Sequence, residues 1–201
     1  MAQTYFHPAA IVESELVGAG TRVWAFAHVM AGARVGENCN LGEHTFVESG
    51  AAIGNNVTVK NNVCVWMGVT LKDDVFVGPG VMFTNDRFPR SPRMSQARRR
   101  YIQAENWLLR TLVGQGATIG AGAVILPGIC IGPYSTIGAG ALVTGDVPAF
   151  ALAIGSPARQ AGWMCRCGQK LAGDYRTATC HECGETPQMR VAQAELESSL
   201  L

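Results

Sequence analysis

Four cysteines near the end of the chain carry the plainest chemical signal. Cys165-Arg166-Cys167-Gly168 is followed by Cys180-His181-Glu182-Cys183-Gly184. Four thiolates satisfy the tetrahedral preference of zinc, and a glycine after each pair lets the backbone curl around the metal. With all four positions filled by protein, such a zinc is structural rather than catalytic. The first pair is C-x-C instead of C-x-x-C, and iron–sulfur ligation or free thiols are the alternatives. A second signal is basic. Arg87, Arg90, Arg93, Arg98, Arg99 and Arg100 lie in a segment whose only acid before Glu105 is Asp86. The guanidinium fork suits phosphate and carboxylate groups, whereas the bland reading is a solvated loop. A third is the polar set His44, Glu48, Lys60, Asn61, Asn62, Trp66, Thr84 and Asn85, in a stretch otherwise rich in Gly, Ala and Val. Histidine is the usual general base near neutral pH, and tryptophan can stack on a base or sugar face.

The elements that position these groups follow from a repeat. Every sixth residue from Ile11 through Val17, Val23 and Val29 to Val77 and Phe83 is apolar, and the same step runs from Val113 through Ile119, Ile125, Ile131 and Ile137 to Val143. The next residue is often Gly, as at Gly18, Gly36, Gly42, Gly114 and Gly120. A period of six suits neither a helix nor a single strand. It suits a very short strand and a tight turn, three of which close a triangular coil of about 18 residues. The aliphatic residue should point inward and stack on its equivalent one coil above, with Gly supplying the corner angles. The thirty residues from Phe83 to Val113 keep the phase. One hexad, Phe83 to Phe88, plus an excursion of roughly 24 residues is the simplest account, and so long an excursion points to function. About six coils, each rising about 4.8 Å, give a prism roughly 30 Å tall.

Domain organisation follows: an all-β parallel solenoid over residues 1–160 with the insertion at about 84–112, a cysteine module over 161–187, and a short amphipathic helix over 188–201 carrying Val191, Ala194 and Leu200. Only 15% of the 201 residues are charged and the net charge is +1, so the whole molecule has no pull toward nucleic acid or membrane. No apolar run reaches the length of a membrane span, and the first residues lack the pattern of a signal peptide. A cytoplasmic chain is expected, in which the seven cysteines do not form a disulfide framework. Cys39 falls on an inward small-residue position and reads as core.

Residues 18 apart should superimpose. Glu48, Trp66 and Thr84 then form one outward column, Ser49, Met67 and Asn85 the next, and His44, Asn62 and Gly80 another. The polar set is expected to gather at one corner beside the root of the excursion as a substrate pocket, with Lys60, Asn61 and Asn62 one coil below. His44 is the base candidate, with Glu48 as its orienter, against the plain reading of a surface histidine.

Three stretches carry a family resemblance. They are Val23-Trp24-Ala25-Phe26-Ala27-His28-Val29, Val59-Lys60-Asn61-Asn62-Val63-Cys64-Val65-Trp66, and Val77-Gly78-Pro79-Gly80-Val81-Met82-Phe83-Thr84-Asn85-Asp86 with Pro89-Arg90-Ser91. Together with Asp146-Val147-Pro148 and Gly155-Ser156-Pro157-Ala158-Arg159, they resemble the hexapeptide-repeat acyltransferases, and among them those that N-acetylate 3-amino sugars carried on UDP or dTDP. The resemblance implies a left-handed coil, although parallel crossovers are ordinarily right-handed. It implies a homotrimer with pockets between subunits, acetyl-CoA as co-substrate along the later coils near Gly138, Ala139, Gly155 and Arg159, and a role in surface polysaccharide precursors such as lipopolysaccharide. Asn85 would hold the acceptor amine, the alternative being a plain turn residue. Thr84, Arg87, Arg90 and Arg93 would line the acceptor site. The continuation through Gly162-Trp163 favours UDP-2-acetamido-3-amino-2,3-dideoxyglucuronate as acceptor, with a dTDP-linked 3-amino-dideoxyhexose as the alternative. The cysteine module resembles a zinc ribbon.

Three rival readings fit the residues less well. A γ-type carbonic anhydrase needs three histidine ligands, and the chain has only His7, His28, His44 and His181, with no close pair in the solenoid. An O-acetyltransferase would show a His-Asp arrangement in an early coil, which is missing. A non-catalytic scaffold leaves the Phe83–Ser91 motif and the basic excursion without a purpose.

Overall fold

The hexad is built from two inward positions and one turn. In Val35-Gly36-Glu37-Asn38-Cys39-Asn40, Val35 and Cys39 are buried while Asn38 adopts a left-handed conformation with φ of 55°. Repeating this unit makes parallel strands, mostly of two residues, which stack into three faces in the computed structural model, which describes residues 3–173 and 177–186. The first face has ten strands, the second seven and the third five. On the first face Val23 pairs with Leu41, Leu41 with Val59 and Val59 with Val77, a constant step of 18. Val29, Val47 and Val65 form the matching ladder on the second face, and Val35, Ile53 and Leu71 on the third. These side chains form one continuous buried core. Each contributes about 1.5–3 kcal/mol of burial, so the stack holds three faces together without helices.

The excursion has the expected length. Phe76 pairs with Thr118 and Leu71 with Val113, a step of 42 in place of 18, which leaves 24 additional residues. They depart one corner earlier than expected. Asn85 lies over Met67, and Thr111 donates to the carbonyl of Gly68, so the solenoid stops at Asn85 and resumes at Arg110. Phe83 to Phe88 is therefore not an intact hexad. Two short 3-10 helices, Arg98–Tyr101 and Ala104–Asn106, lie within the excursion.

Two other expectations are corrected. In the first coil the step is 17, because Ile11 pairs with His28 and Val12 with Val29. Val12 takes the inward place and Ile11 is 56% exposed. The glycine after each inward aliphatic residue does not supply the corner angle. At Gly120 a Cβ would lie 2.5 Å from the backbone nitrogen of Ala139, so the residue is small because the next coil sits against it. The left-handed corner residues lie two positions later, as at Asn38, His44, Asn62 and Gly122.

At the far end Ala151–Gly155 joins the first face parallel to Thr136–Ile137. Ala158–Met164 then returns antiparallel to it, followed by Lys170–Leu171. The boundary expected between residues 160 and 161 falls inside the strand Ala158–Met164, so the cysteine module grows directly out of the solenoid's last face. The helix expected over 188–201 lies outside the described residues. Among the described residues, no helix is long and apolar enough to cross a membrane.

Candidate functional site

The root of the excursion is closed by Asn85. Its carbonyl accepts the backbone N–H of Leu109 at 2.9 Å, and its Nδ2 donates to the carbonyl of Met67 at 3.3 Å. Its Oδ1 has no hydrogen-bond partner among the described residues and is the acceptor left for a ligand N–H. Beside it, the hydroxyl of Thr84 donates to the carbonyl of Ile125 at 3.0 Å, which spends that group on the coil above. Two coils below Thr84, the carboxylate of Glu48 accepts the N–H of Met67 at 2.8 Å. Trp66 packs against the core and tilts against Phe46, ring centroids 5.6 Å apart. Glu48, Trp66, Thr84 and Asn85 thus form one cluster, as the 18-residue columns require.

His44, Lys60, Asn61 and Asn62 lie at a different corner. The strand Phe46–Val47 separates His44 from Glu48, and four residues of extended chain span about 13 Å. Glu48 is engaged with Met67, and the exposed ring of His44 stacks on Phe26, centroids 5.0 Å apart. The residues expected at a single corner therefore lie at two, one at each edge of the second face. Asn62 itself has φ of 61° and is exposed, as are Lys60 and Asn61.

The excursion is organised around Asp86. Its carboxylate accepts from the Tyr101 hydroxyl at 2.8 Å and from the Phe88 N–H at 3.0 Å, and it pairs with Arg100. Burial works to raise its pKa, but the bonds from Tyr101, Phe88 and Arg100 outweigh it and hold the carboxyl below its ordinary range. The basic run is thus less free than the sequence suggests. Arg100 serves this knot, Arg87 reaches the carbonyl of Pro127 at 3.5 Å, and Arg90 donates to the carbonyl of Pro89 at 2.9 Å. The guanidinium of Arg93 is exposed and has no partner among the described residues.

A histidine–carboxylate approach exists low in the solenoid, at His28, a residue whose plain reading is packing beside Trp24 and Phe26. His28 Nε2 lies 3.5 Å from Glu13 Oε2, and that nitrogen is buried without a hydrogen bond among the described residues. The ring meets Phe46 edge-on at 5.5 Å. A uniform 18-residue step conceals this neighbourhood, because it arises from the shortened first coil.

At the far end, a cavity of about 290 Å³ is lined by residues that include Thr144, Asp146, Pro148, Ala158, Arg159 and Gln160. Of the residues expected to contact acetyl-CoA, only Arg159 lines it. Gly138 and Ala139 lie lower, on the corner that carries Lys60 and Asn61. Gly155 closes the turn between the last two long strands with φ of 94°. Cys39 is core as expected, and its thiol donates to the carbonyl of Gly54 at 3.0 Å.

The thiols of Cys165, Cys167, Cys180 and Cys183 all lie within 4.8 Å of one another. The Cys165–Cys183 and Cys167–Cys180 separations are 3.5 and 3.6 Å. A tetrahedron with Zn–S bonds of about 2.3 Å has edges of about 3.8 Å, so the four residues fit a zinc ion. Backbone N–H groups of Cys183 and Glu182 pull the Cys180 thiol down to about 6, while burial pushes that of Cys165 up to about 12.

Comparison with known proteins agrees with this architecture. The bacterial transferase hexapeptide (six repeats) model matches residues 16–49 and 110–145, one block on each side of the excursion. A dTDP-3-amino-3,6-dideoxy-alpha-D-galactopyranose 3-N-acetyltransferase of Aneurinibacillus thermoaerophilus is 46% identical over 181 residues, covering 90% of this chain and 88% of that one. Among solved structures, the acetyltransferase domain of PglB from Neisseria gonorrhoeae is 22% identical with a TM-score of 0.45, over 79% of this chain and 54% of that one. A perosamine N-acetyltransferase from Caulobacter crescentus is 25% identical with a TM-score of 0.44, over 81% of this chain and 58% of that one. The chain thus spans little more than half the length of these two solved chains. With a near-full-length relative at this identity and the hexapeptide solenoid in place, the chain belongs to the hexapeptide-repeat acyltransferases, in the family of nucleotide-linked amino-sugar N-acetyltransferases.

Proposed function

We propose that this enzyme transfers the acetyl group of acetyl-CoA to the 3-amino group of a dTDP-linked 3-amino-dideoxyhexose in the cytoplasm, for surface polysaccharide synthesis. The observation that carries the reading is the 46% identical relative, whose name specifies a dTDP-linked 3-amino sugar. The UDP-linked 3-amino-glucuronate, favoured by the tail through Gly162-Trp163, becomes the second reading. It needs a cation for the sugar carboxylate as well as for the pyrophosphate. With Arg100 tied to Asp86, one fewer arginine remains for that purpose.

The reaction joins an amine nitrogen to a thioester carbonyl and releases a thiolate. The amine must be neutral to attack, and the thiolate can take its proton, so a protein base assists without being obligatory. Asn85 Oδ1 accepts an N–H of the acceptor amine and aims its lone pair. Thr84, Trp66 and Glu48 shape the pocket beside it, while Arg93 with Arg87 and Arg90 face the pyrophosphate. The donor runs along the corner of Gly138 and Ala139 toward Arg159 and the terminal cavity. Backbone N–H groups along that corner can stabilise the tetrahedral oxyanion.

His44, Lys60, Asn61 and Asn62 stand too far from Asn85 to act on the same amine within one chain. A threefold trimer that sets the His44 edge of one copy against the Asn85 edge of the next completes the site. His44 is then the base of the shared site. His28 is the second candidate, favoured by its approach to Glu13.

Incubation with labelled acetyl-CoA and matched dTDP-sugars bearing a 3-amino or a 3-hydroxy group tests this reading. Label should appear in the amide product alone. Label in the 3-hydroxy sugar, or in neither, would refute it.

A further inference from the structure

The strand Ala158–Met164 has two neighbours of different kinds. Its first residues, Ala158, Arg159 and Gln160, wall the terminal cavity. Its last residue is followed at once by Cys165, the first of the four thiols. The strand is tied to the solenoid at this end, because Met164 N–H donates to the carbonyl of Phe150 at 2.7 Å. Phe150 is fully buried and stacks on Tyr134, centroids 5.4 Å apart, and the guanidinium of Arg166 lies 4.8 Å from the centre of the Tyr134 ring.

Among the described residues, the cysteine segment has a small core of its own. Its buried cluster is Cys165, Leu171 and Cys180, with Ala178 and Trp163 packed alongside. So small a core does not fold without a staple. The backbone is nonetheless wrapped for a metal. Gly168 N–H donates to the carbonyl of Cys165, and Gly184 N–H to that of Cys180, both at 2.9 Å. These turns bring the two cysteine pairs, from segments 13 to 18 residues apart, to separations that suit one tetrahedral ion.

We propose that a zinc ion on Cys165, Cys167, Cys180 and Cys183 clamps the strand Ala158–Met164 to the last coil, and that metal occupancy thereby sets the wall of the terminal cavity. The metal takes no part in acyl transfer. It acts as the end cap that a solenoid needs where its stack of strands stops. The link to the donor rests on the reading of that cavity as part of the acetyl-CoA site.

The test uses the full chain in three forms: as purified from zinc-replete medium, stripped with a mercurial and a chelator, and as Cys183→Ser. Elemental analysis should give one zinc per chain in the first form. The stripped form should keep its solenoid circular dichroism, melt roughly 5–10 °C earlier, and lose amide-exchange protection over residues 150–164. Its affinity for acetyl-CoA should fall about tenfold, and zinc should restore both properties after the mercurial is reversed. Cys183→Ser should behave as the stripped form does. Absence of bound metal, or unchanged protection after its removal, overturns the clamp. Lost protection with unchanged acetyl-CoA affinity keeps the clamp and overturns the assignment of the cavity to the donor.

Discussion

Asn85 and Leu109 are joined across the base of the excursion, the carbonyl of the first accepting the backbone N–H of the second at 2.9 Å. The last solenoid position before the excursion is thus fixed through its main chain, and its side chain also holds Met67. Asn85→Ala keeps the backbone bond and removes the amide oxygen offered to the acceptor. It should lower kcat/KM for the amino sugar about 10–100-fold, or roughly 1.4–2.7 kcal/mol, with the melting temperature lowered by only a few degrees for the lost bond to Met67. Steady-state kinetics beside a thermal melt separates this from simple unfolding.

The Asp86 knot makes the order of the excursion pH-dependent. Its folded carboxyl titrates below the ordinary value of 3.8, so its contribution is fully present above about pH 4 and is lost as pH falls through the folded value. Trp107, whose ring lies 5.8 Å from that of Tyr101, reports on the knot. Its emission should shift to the red in an acid titration centred below pH 3.8. In Asp86→Asn the excursion should already be loose at neutral pH, with trypsin cutting at its arginines several-fold faster. Equal cleavage of the two proteins would rule out an organising role for Asp86.

Two glycines two positions apart should respond differently to alanine. At Gly120 a Cβ would meet backbone atoms of Ala139 at 2.5 and 2.8 Å, so the coils must separate. Gly120→Ala should destabilise by roughly 2–3 kcal/mol. At Gly122 nothing lies within 4 Å and the cost is only that of a φ of 66°, about 1 kcal/mol. Denaturant melts of both variants decide the point. A reversed order would mean that coil spacing is not what selects glycine after the inward residue.

The fold was legible because its information is local. A six-residue apolar period dictates three short strands per coil, and the unbroken phase across the excursion is met most simply by one hexad and about 24 further residues, the length found. What the period could not show is where it slips. The shortened first coil moves Ile11 out, brings Val12 in and sets His28 near Glu13. Nor could it separate corners, since His44 and Glu48 are close in sequence yet occupy opposite edges of one face. The cysteine set was legible from ligand chemistry, but its attachment was not, because the strand Ala158–Met164 pairs backward onto the last coil without any repeat.

The two candidate bases make different kinetic predictions. If His44 takes the proton, His44→Asn should reduce kcat by about 10²-fold or more, while His28→Asn leaves kcat within a few-fold of wild type. The opposite pattern assigns the role to His28. An unchanged kcat in both variants would mean that the leaving thiolate takes the proton.

A site completed by two chains can be tested by mixing. Impaired His44→Asn and Asn85→Ala subunits, unfolded and reassembled together, should show more activity than either variant alone, because some interfaces then carry both intact halves. No recovery, with mixed oligomers demonstrated by mass, would place each site within one chain.

Acceptor-dependent release of CoA thiol from acetyl-CoA remains the most direct measurement, with the dTDP-linked 3-amino-3,6-dideoxyhexose compared against the UDP-linked 3-amino-glucuronate. Rapid release with the dTDP sugar, at a kcat/KM at least about tenfold above that for the UDP sugar, is the expected result. Thiol release that neither acceptor accelerates would contradict the assignment of this chain as a nucleotide-sugar N-acetyltransferase.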